Sequence, residues 1–145
     1  MKKRKRIYER SDDYRKNFLK YNKGVFGSGN YHCSYCGKIL SPQKMRVDHL
    51  IPIHRVKKFG FARILMWFEG IRNINDVKNL VPACERCNSK KSSNMGLWLI
   101  KGEWGRHIWN WIILRSFLLA VFVIICYENR NYIEWFINNL IQSLM

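Results

Sequence analysis

Four of the five cysteines form two pairs in which the two members are separated by two residues. The pairs are Cys33 with Cys36 and Cys84 with Cys87. Thiolates at this spacing on a tight turn supply two corners of a tetrahedron, the geometry that Zn²⁺ prefers. Two pairs complete the tetrahedron and leave no open position. We therefore expect a structural zinc ion that joins two distant chain segments; a redox pair and a chance pairing are the alternatives.

The start of the chain helps to decide whether the paired cysteines bind metal or form disulfides, because disulfides form in oxidising compartments. Residues 2–6 are all Lys or Arg, and no apolar segment of the kind found in export signals follows them. We expect a cytoplasmic protein that is not secreted, in which the paired cysteines bind metal. Cys126 is left over in an apolar run, where we expect a buried thiol.

The segment between the cysteine pairs contains Asp48 and His49 in a stretch of strand-like composition. Carboxylate and amide oxygens suit a hard divalent ion, and Asn88 directly follows the last cysteine, which would hold it rigidly. We expect Asp48 and Asn88 to bind Mg²⁺ or Mn²⁺. Neighbouring side chains on a strand point to opposite faces, so a bend near His49 must direct it towards the same substrate. Taken alone, such a histidine is more often an ordinary surface or core residue.

Positive charge is concentrated in the first part of the chain. Residues 1–91 carry 22 Lys and Arg against 7 Asp and Glu, whereas residues 92–145 carry 4 against 3. A field of this sign and size favours polyanions, with nucleic acid first and an anionic membrane surface second. A wholly disordered chain is excluded, because 48% of the residues are hydrophobic and 14% are aromatic. We expect DNA as the partner of this basic part.

Three regions are expected in a chain of 145 residues. They are a basic N-terminal arm over residues 1–30, a folded domain over residues 31–100 and a hydrophobic helical tail over residues 101–145. The glycine-rich residues 24–30 mark the first boundary.

Short elements are expected inside the folded domain. A strand follows the first cysteine pair, and a second strand lies within residues 45–53. Two helical turns are expected over residues 62–68, and a helix over residues 89–100 follows the second cysteine pair.

Together these residues resemble the HNH endonuclease family, over roughly residues 31–91. Its zinc-bearing members have a Cys-x-x-Cys pair, an Asp-His, an Asn ahead of a second Cys-x-x-Cys, then Asn or His and a Lys. The matching residues here are Cys33, Cys36, Asp48, His49, Asn79, Cys84, Cys87, Asn88 and Lys91. The resemblance implies an α+β fold with a small, treble-clef-like ββα-metal core stabilised by zinc. In that core a hairpin and a helix hold one divalent ion.

The resemblance also implies a role for each polar residue. His49 would be the general base that deprotonates water, and its ordinary pKa of about 6.5 lets neutral imidazole accept a proton near neutrality. Asp48 and Asn88 would hold the ion. Asn79 would orient the loop between the two strands through backbone hydrogen bonds. The spacing from His49 to Asn79 is longer than usual in the family, so residues 59–74 are predicted to be an insertion of unassigned role.

Six further side chains are candidates for contacts with DNA. They are cationic or imidazole groups close to the predicted strand and helix, where phosphate oxygens could reach them: Arg46, His54, Arg55, Arg86, Lys90 and Lys91. For His54 and Arg55 an ordinary surface role fits the sequence at least as well.

The tail contains a long apolar run over residues 108–127, which is enough to span a bilayer although it contains Arg115. Residues 133–144 repeat apolar side chains with helical periodicity, which predicts an amphipathic helix. The sequence leaves three roles open for residues 108–144: membrane insertion, homo-oligomer formation, and packing of the two helices against each other. If the first helix spans, the positive-inside rule keeps residues 1–91 at the inner face of the cytoplasmic membrane.

The expected function is that of a metal-dependent HNH endonuclease that hydrolyses DNA phosphodiester bonds. The family implies phage or mobile-element DNA processing, restriction or anti-phage defence. The main alternative is a non-catalytic zinc-knuckle DNA-binding protein, and a third is a membrane-anchored regulator with a vestigial site. The joint presence of Asp48, His49 and Asn88 favours catalysis, because DNA binding alone requires none of them.

Overall fold

The computed structural model describes residues 7–144, apart from the side chains of Ile133 and Leu144. Residues 1–6 of the predicted basic arm therefore lie outside the described residues. The chain divides after Ile108 into two compact units. Helices, two small sheets and a four-cysteine cluster together fit an α+β zinc-binding fold.

The elements of the first unit are short, and several are joined by tight turns. In chain order they are α1 (Tyr14–Tyr21), β1 (Tyr31–His32), β2 (Ile39–Leu40), β3 (Arg46–His49), α2 (Ile53–Lys58), α3 (Gly60–Phe68), β4 (Leu80–Ala83), α4 (Glu85–Lys91) and α5 (Leu97–Trp104). Two 3₁₀ turns lie at Val25–Gly27 and Val77–Asn79. The second unit consists of α6 (Ile108–Glu128) and α7 (Arg130–Leu144).

Both sheets of the described chain are antiparallel pairs. Strands β1 and β2 flank the first cysteine pair and form a two-residue ladder. Strands β3 and β4 pair in register from Arg46 opposite Ala83 to His49 opposite Leu80. The amide of Ser34 donates to the carbonyl of Pro82 at 2.8 Å, which attaches the first cysteine turn to β4. As a result, Asp48 and His49 are fixed relative to the helix that follows β4.

The first unit contains two clusters of buried side chains. One lies among the four strands and includes Tyr35, Met45 and Val81. The other lies beneath the predicted insertion, where α3 contributes Ala62 and Met66. The insertion thus folds as helix and packs its own small core, because one face of α3 is apolar and turned inwards. The opposite face exposes large apolar side chains, namely Phe61, Ile64, Trp67 and Phe68.

The predicted boundary at residue 30 does not separate two units. Phe18 of α1 is only 1% exposed and packs in the strand cluster, with its ring 6.1 Å from that of Tyr31. The guanidinium of Arg15 donates to the carbonyls of Met45 and Pro42, each at 2.8 Å. The described part of the arm is therefore integral to the first unit, because its apolar side chains complete the core. At the other end the first unit extends to Ile108 rather than to residue 100.

The single helix predicted over residues 89–100 is instead two helices, α4 and α5. Helix α4 begins earlier, because Cys84 caps its N-terminus and Cys84 Sγ accepts from the Cys87 amide at 3.4 Å. It ends at Ser92, whose φ of 48° lies in the left-handed region that stops a helix. Gly96, with φ of 62°, precedes α5.

The second unit is markedly apolar. Helix α6 is, among the described residues, the one helix long and apolar enough to cross a membrane by length and composition, with mean hydropathy 2.2. Apolar side chains remain exposed along both α6 and α7. The expectation of a buried Cys126 thiol is wrong, because this side chain is only half-buried on α6.

Candidate functional site

The two cysteine pairs converge, although 47 residues lie between them. The Sγ atoms of Cys33, Cys36, Cys84 and Cys87 all lie within 4.8 Å of one another. The first pair is held in a tight turn in which the Gly37 amide donates to the Cys33 carbonyl at 2.7 Å. Gly37 has φ of 67°, a conformation that glycine adopts without the steric cost other residues bear. The second pair spans the start of α4.

Four thiol donors at this separation suit a soft or borderline cation. Burial raises the pKa of the Cys33 thiol to about 11 and raises the pKa of the Cys87 thiol as well. Thiolates in such a setting need a bound cation to offset their desolvation and mutual repulsion. The donor set fits zinc, and because all four corners are filled by protein, the role that fits is structural. A zinc ion there would connect the β1–β2 turn to the N-terminus of α4.

Asp48 lies on β3 and faces inwards, towards α4 and the first cysteine turn. Its Oδ2 accepts a hydrogen bond from the Tyr35 hydroxyl at 2.6 Å and pairs with the Lys91 ammonium at 2.9 Å. Burial, followed by the nearby Asp48 charge, raises the pKa of Tyr35, which keeps the hydroxyl protonated as a donor. Lys91 also donates to the carbonyl of His49 at 2.8 Å. The end of α4 is therefore attached to β3 at two successive residues.

The prediction that Lys91 contacts a DNA phosphate is wrong. Its side chain is 0% exposed, and its ammonium is occupied by Asp48 and by the His49 carbonyl. A lysine buried without a partner would be costly, so the carboxylate is part of what allows Lys91 to be there. In this fold Lys91 acts as an internal brace between helix and strand.

His49 is buried on the other face of β3. Its Nε2 lies 3.2 Å from Asn75 Oδ1, and its ring stacks on Tyr14 with centroids 5.2 Å apart. Burial lowers the pKa of His49, and the hydrogen bond to Asn75 only partly opposes this. The imidazole is accordingly neutral near pH 7.

The orientation of the Asn75 amide identifies the proton on His49. Asn75 Nδ2 donates to the Glu9 carbonyl at 2.6 Å, while its Oδ1 accepts from the Ser11 amide at 3.2 Å. With the amide fixed this way round, Oδ1 also accepts from His49 Nε2–H, and Nδ1 of the neutral ring carries the free lone pair. A proton acceptor of this kind is what a general base requires.

Asp48 and His49 do not converge in the way expected from a bend. The chain bends at residues 50–51, after His49, yet the two side chains have different neighbours on opposite faces of β3. Lys91 is the group that contacts both residues, through the Asp48 carboxylate and the His49 backbone.

Asn79 is fully buried and bridges the two ends of the long segment between β3 and β4. Its Oδ1 accepts from the Ile51 amide at 2.8 Å. Its Nδ2 donates to the carbonyls of Ile51 and Ile74, at 3.2 and 2.8 Å. These bonds join Ile51, just after β3, to Asn79, just before β4. They therefore hold the two strand ends together independently of the length of the insertion between them.

Asn88 is half-buried on α4, three residues before Lys91 and so on the same side of the helix. It lines a small cavity of about 230 Å³ beside Tyr14, the residue that stacks on His49. Three arginines also line that cavity: Arg10, Arg15 and Arg46. Arginine is a residue type suited to binding phosphate. The Arg15 guanidinium also donates to the Met45 and Pro42 carbonyls, and that of Arg46 pairs with Glu85.

The other DNA-contact candidates lie mostly on the surface. His54, Arg86 and Lys90 are exposed, and exposed Arg46 pairs with Glu85 at 2.8 Å. Arg55 is half-buried instead: its Nε donates to the Ser93 carbonyl at 2.9 Å.

A larger groove of about 1060 Å³ runs beside the cysteine cluster. The cationic side chains that line it are Lys38, Lys44, Arg46, Arg86, Lys90 and Lys101. Such a row of cations can neutralise successive phosphates of a nucleic-acid backbone.

Three residues of this site were not identified from the sequence. Tyr35 lies between Cys33 and Cys36. The tight turn expected there was the one feature of the sequence that indicated a fixed position for its side chain. Asn75 and Tyr14 lie far from His49 in sequence. The fold of the segment between β3 and β4 brings Asn75 to the imidazole, and the fold of the N-terminal segment brings Tyr14.

Comparisons of the chain with protein-family models, curated proteins and solved structures gave no match. The resemblance to the HNH endonucleases accordingly stays a prediction from the motif residues.

The cysteine cluster predicts one zinc ion per chain. Cys84→Ser should lose the zinc and lower the Tm, because one thiolate corner and the cap of α4 are removed together. Metal content by elemental analysis and thermal unfolding measure the two effects. Cys126→Ser is the matched control, since this cysteine lies on α6, and it should retain one zinc. A chain that folds without metal and keeps its Tm after Cys84→Ser would contradict the prediction of a structural zinc ion at the cysteine cluster.

The buried ion pair predicts a large loss of stability in Lys91→Met. This change removes the cationic partner of the Asp48 carboxylate and should reduce the free energy of unfolding by about 3–5 kcal/mol. Lys90→Met is the matched control, because Lys90 is exposed on the same turn, and it should stay within about 0.5 kcal/mol of the parent. Urea unfolding of the zinc-loaded proteins gives both values. Equal losses in the two variants would contradict the bracing role of Lys91.

Proposed function

We propose that the chain is a metal-dependent endonuclease of the zinc-bearing HNH type, which hydrolyses DNA phosphodiester bonds. The observation that carries the proposal is the setting of His49: a neutral imidazole with Nε2 bonded to Asn75 and Nδ1 free to accept a proton. The order of elements around it also supports the proposal. An antiparallel pair, β3 and β4, leads directly into a helix whose start contains two of the four cysteines, and this order of elements is what we would expect of a ββα-metal core.

In the proposed reaction His49 is the general base. Nδ1 takes a proton from water as the oxygen attacks the scissile phosphorus, and the hydrogen bond from Nε2–H to Asn75 holds the ring in the required tautomer. The stack against Tyr14 limits rotation of the ring. Each of these contacts positions the base before the substrate arrives, which lowers the entropic cost of reaching the reactive geometry.

Asp48 and Asn88 are the residues that would hold a catalytic Mg²⁺ or Mn²⁺. Within the described residues, Asp48 contacts Tyr35 and Lys91 through Oδ2, so Oδ1 is the oxygen that fits a ligand role. The carboxamide oxygen of Asn88 would supply a second oxygen ligand. An ion bound there would stabilise the negative charge that develops on the phosphate and the leaving 3′ oxygen.

DNA is the substrate that the charge distribution favours. The cavity beside Asn88 is lined by Arg10, Arg15 and Arg46, which could hold one phosphate beside Tyr14, the residue that stacks on His49. The cationic groove beside the cysteine cluster could hold further phosphates of the same strand. The cavity and the groove would both contact phosphates of the DNA backbone rather than bases, so they support DNA binding without specifying a target sequence.

A second candidate function is a zinc-stabilised DNA-binding protein that does not cut. The observation that favours it is the cluster of Asp48, Tyr35 and Lys91, in which the carboxylate already has a structural task. A protein that uses Asp48 only as a brace would retain the residue without retaining catalysis.

A plasmid assay separates the two functions. Zinc-loaded protein should nick supercoiled plasmid when Mg²⁺ or Mn²⁺ is added, and His49→Ala should reduce the rate by about 100-fold or more, because a positioned general base contributes on that order. His107→Ala is the matched control: this histidine is exposed and lies outside the proposed site. It should cut at the parental rate. DNA binding with one zinc per chain but no nicking would overturn the nuclease proposal in favour of the binding protein.

The pH dependence of nicking provides a second test. Burial lowers the pKa of His49 below its ordinary value of about 6.5, so the base is already deprotonated at pH 7. The rate should stay level as the pH falls from 8 to about 6.5 and decline only below that, as imidazole gains a proton. Initial rates at saturating metal measure the midpoint. A midpoint above pH 7 would contradict the assignment of His49 as a buried, neutral base.

A further inference from the structure

Helix α6 exposes an apolar surface over residues 117–126, although Trp111 near its start is buried. Between residues 117 and 126 it carries only apolar side chains and Cys126, and the large ones are 53–63% exposed: Phe117, Leu118, Leu119, Phe122, Val123, Ile124 and Ile125. In water, burial of such a surface is strongly favourable. Something outside the single chain must therefore cover it.

We propose that a lipid bilayer covers α6, and that the helix crosses it. The helix has 21 residues, which at 1.5 Å per residue gives about 30 Å, the thickness of the hydrocarbon core. A partner helix from a second copy would need an apolar stripe on one side, with polar residues opposite. The apolar surface of α6 has no such polar side over residues 117–126, which is what contact with lipid on every side requires.

Arg115 is compatible with this arrangement because of where it lies. It is the eighth residue of α6, about 10 Å from the start and about 20 Å from the end. Side chains on a helix lean towards its N-terminus, so a long arginine side chain at this position reaches back towards the nearer interface. Snorkelling of this kind reduces the cost of a charge inside the membrane.

Both ends of α6 carry aromatic residues of the type enriched at membrane interfaces. Trp109 lies at the start and Tyr127 at the end, and both are well exposed. Beyond the end, Tyr132 and Trp135 are exposed on α7. Amphipathic rings at these two levels suit the two headgroup regions of one bilayer.

The charge distribution gives the direction of crossing. Residues 1–91 carry an excess of 15 positive charges, whereas after Arg115 the sequence has Arg130 against Glu128 and Glu134. Cationic flanks stay on the cytoplasmic side, so the first unit remains there and the C-terminus lies on the opposite side. Helix α7, with an apolar face beside Asn138, Asn139 and Gln142, then suits the far interface.

The test uses the full-length chain with an epitope tag after residue 145, produced in a bacterial host. The protein should sediment with membranes and resist extraction by alkaline carbonate and by high salt. In sealed inside-out membrane vesicles, protease should digest the first unit and leave the tag protected. Accessibility of both ends would overturn the proposal, and so would release by carbonate or salt. A soluble oligomer of defined size in detergent-free buffer would assign the surface to a second copy instead.

A pair of charge variants tests the segment itself. Leu119→Lys with Val123→Lys adds two charges to the apolar surface of α6, and should move the protein from the membrane to the soluble fraction by roughly tenfold or more. Asn138→Lys with Gln142→Lys adds the same charge to the polar face of α7 and should leave the distribution unchanged. One zinc per chain in both variants verifies that the first unit is folded. Equal membrane retention of the two variants would overturn the proposal, and neither result depends on nuclease activity.

Discussion

The rest of the first unit depends on the convergence of four thiols from two distant segments. Without it, the β1–β2 turn and the start of α4 have few reasons to meet, because the elements they join are short and their ladders have two to four residue pairs. Sheets of this size are not stable by themselves in water. A metal ion bound by the four cysteines would supply the missing cohesion and would fix α4 at its N-terminus, the helix that carries Asn88 and Lys91. Lys91 then completes the bracing through its bond to Asp48 at 2.9 Å.

Asp48 has a structural role and, in the proposed mechanism, a second role as a metal ligand. As the partner of buried Lys91 it stabilises the junction of strand and helix, and as a metal ligand it would need an oxygen directed at a substrate. Oδ2 makes the contacts with Tyr35 and Lys91, so the proposed ligand role would fall to Oδ1. When one oxygen of a carboxylate is fixed by its contacts, the direction of the other oxygen is fixed as well. The pairing of Lys91 with Asp48 would therefore contribute to the preorganisation of the site. Under the proposed function, loss of Lys91 would therefore affect catalysis as well as stability.

The sequence was sufficient to predict those parts of the fold that depend on spacing and local pattern. The cysteine pairs indicated the metal cluster, and the apolar run indicated the long helix α6. It was not sufficient where tertiary packing decides. The N-terminal segment has the charge of a mobile arm, yet Phe18 fills the core and Tyr14 stacks on His49. Likewise the break between α4 and α5 occurs at Ser92, in a polar stretch without proline, so local pattern alone did not reveal it.

The proposed metal-dependent mechanism is tested most directly by counting the divalent ions that the zinc-loaded chain binds. Titration with Mn²⁺, followed by electron paramagnetic resonance of the free ion, gives the number and affinity of sites besides the cysteine cluster. If Asp48 and Asn88 hold a catalytic ion, the chain binds one Mn²⁺, which is lost in Asn88→Ala. The site is kept in Asn94→Ala, a change at an exposed asparagine in the turn after α4. Absence of a Mn²⁺ site in the parent, or a site indifferent to Asn88, would contradict the metal-dependent mechanism.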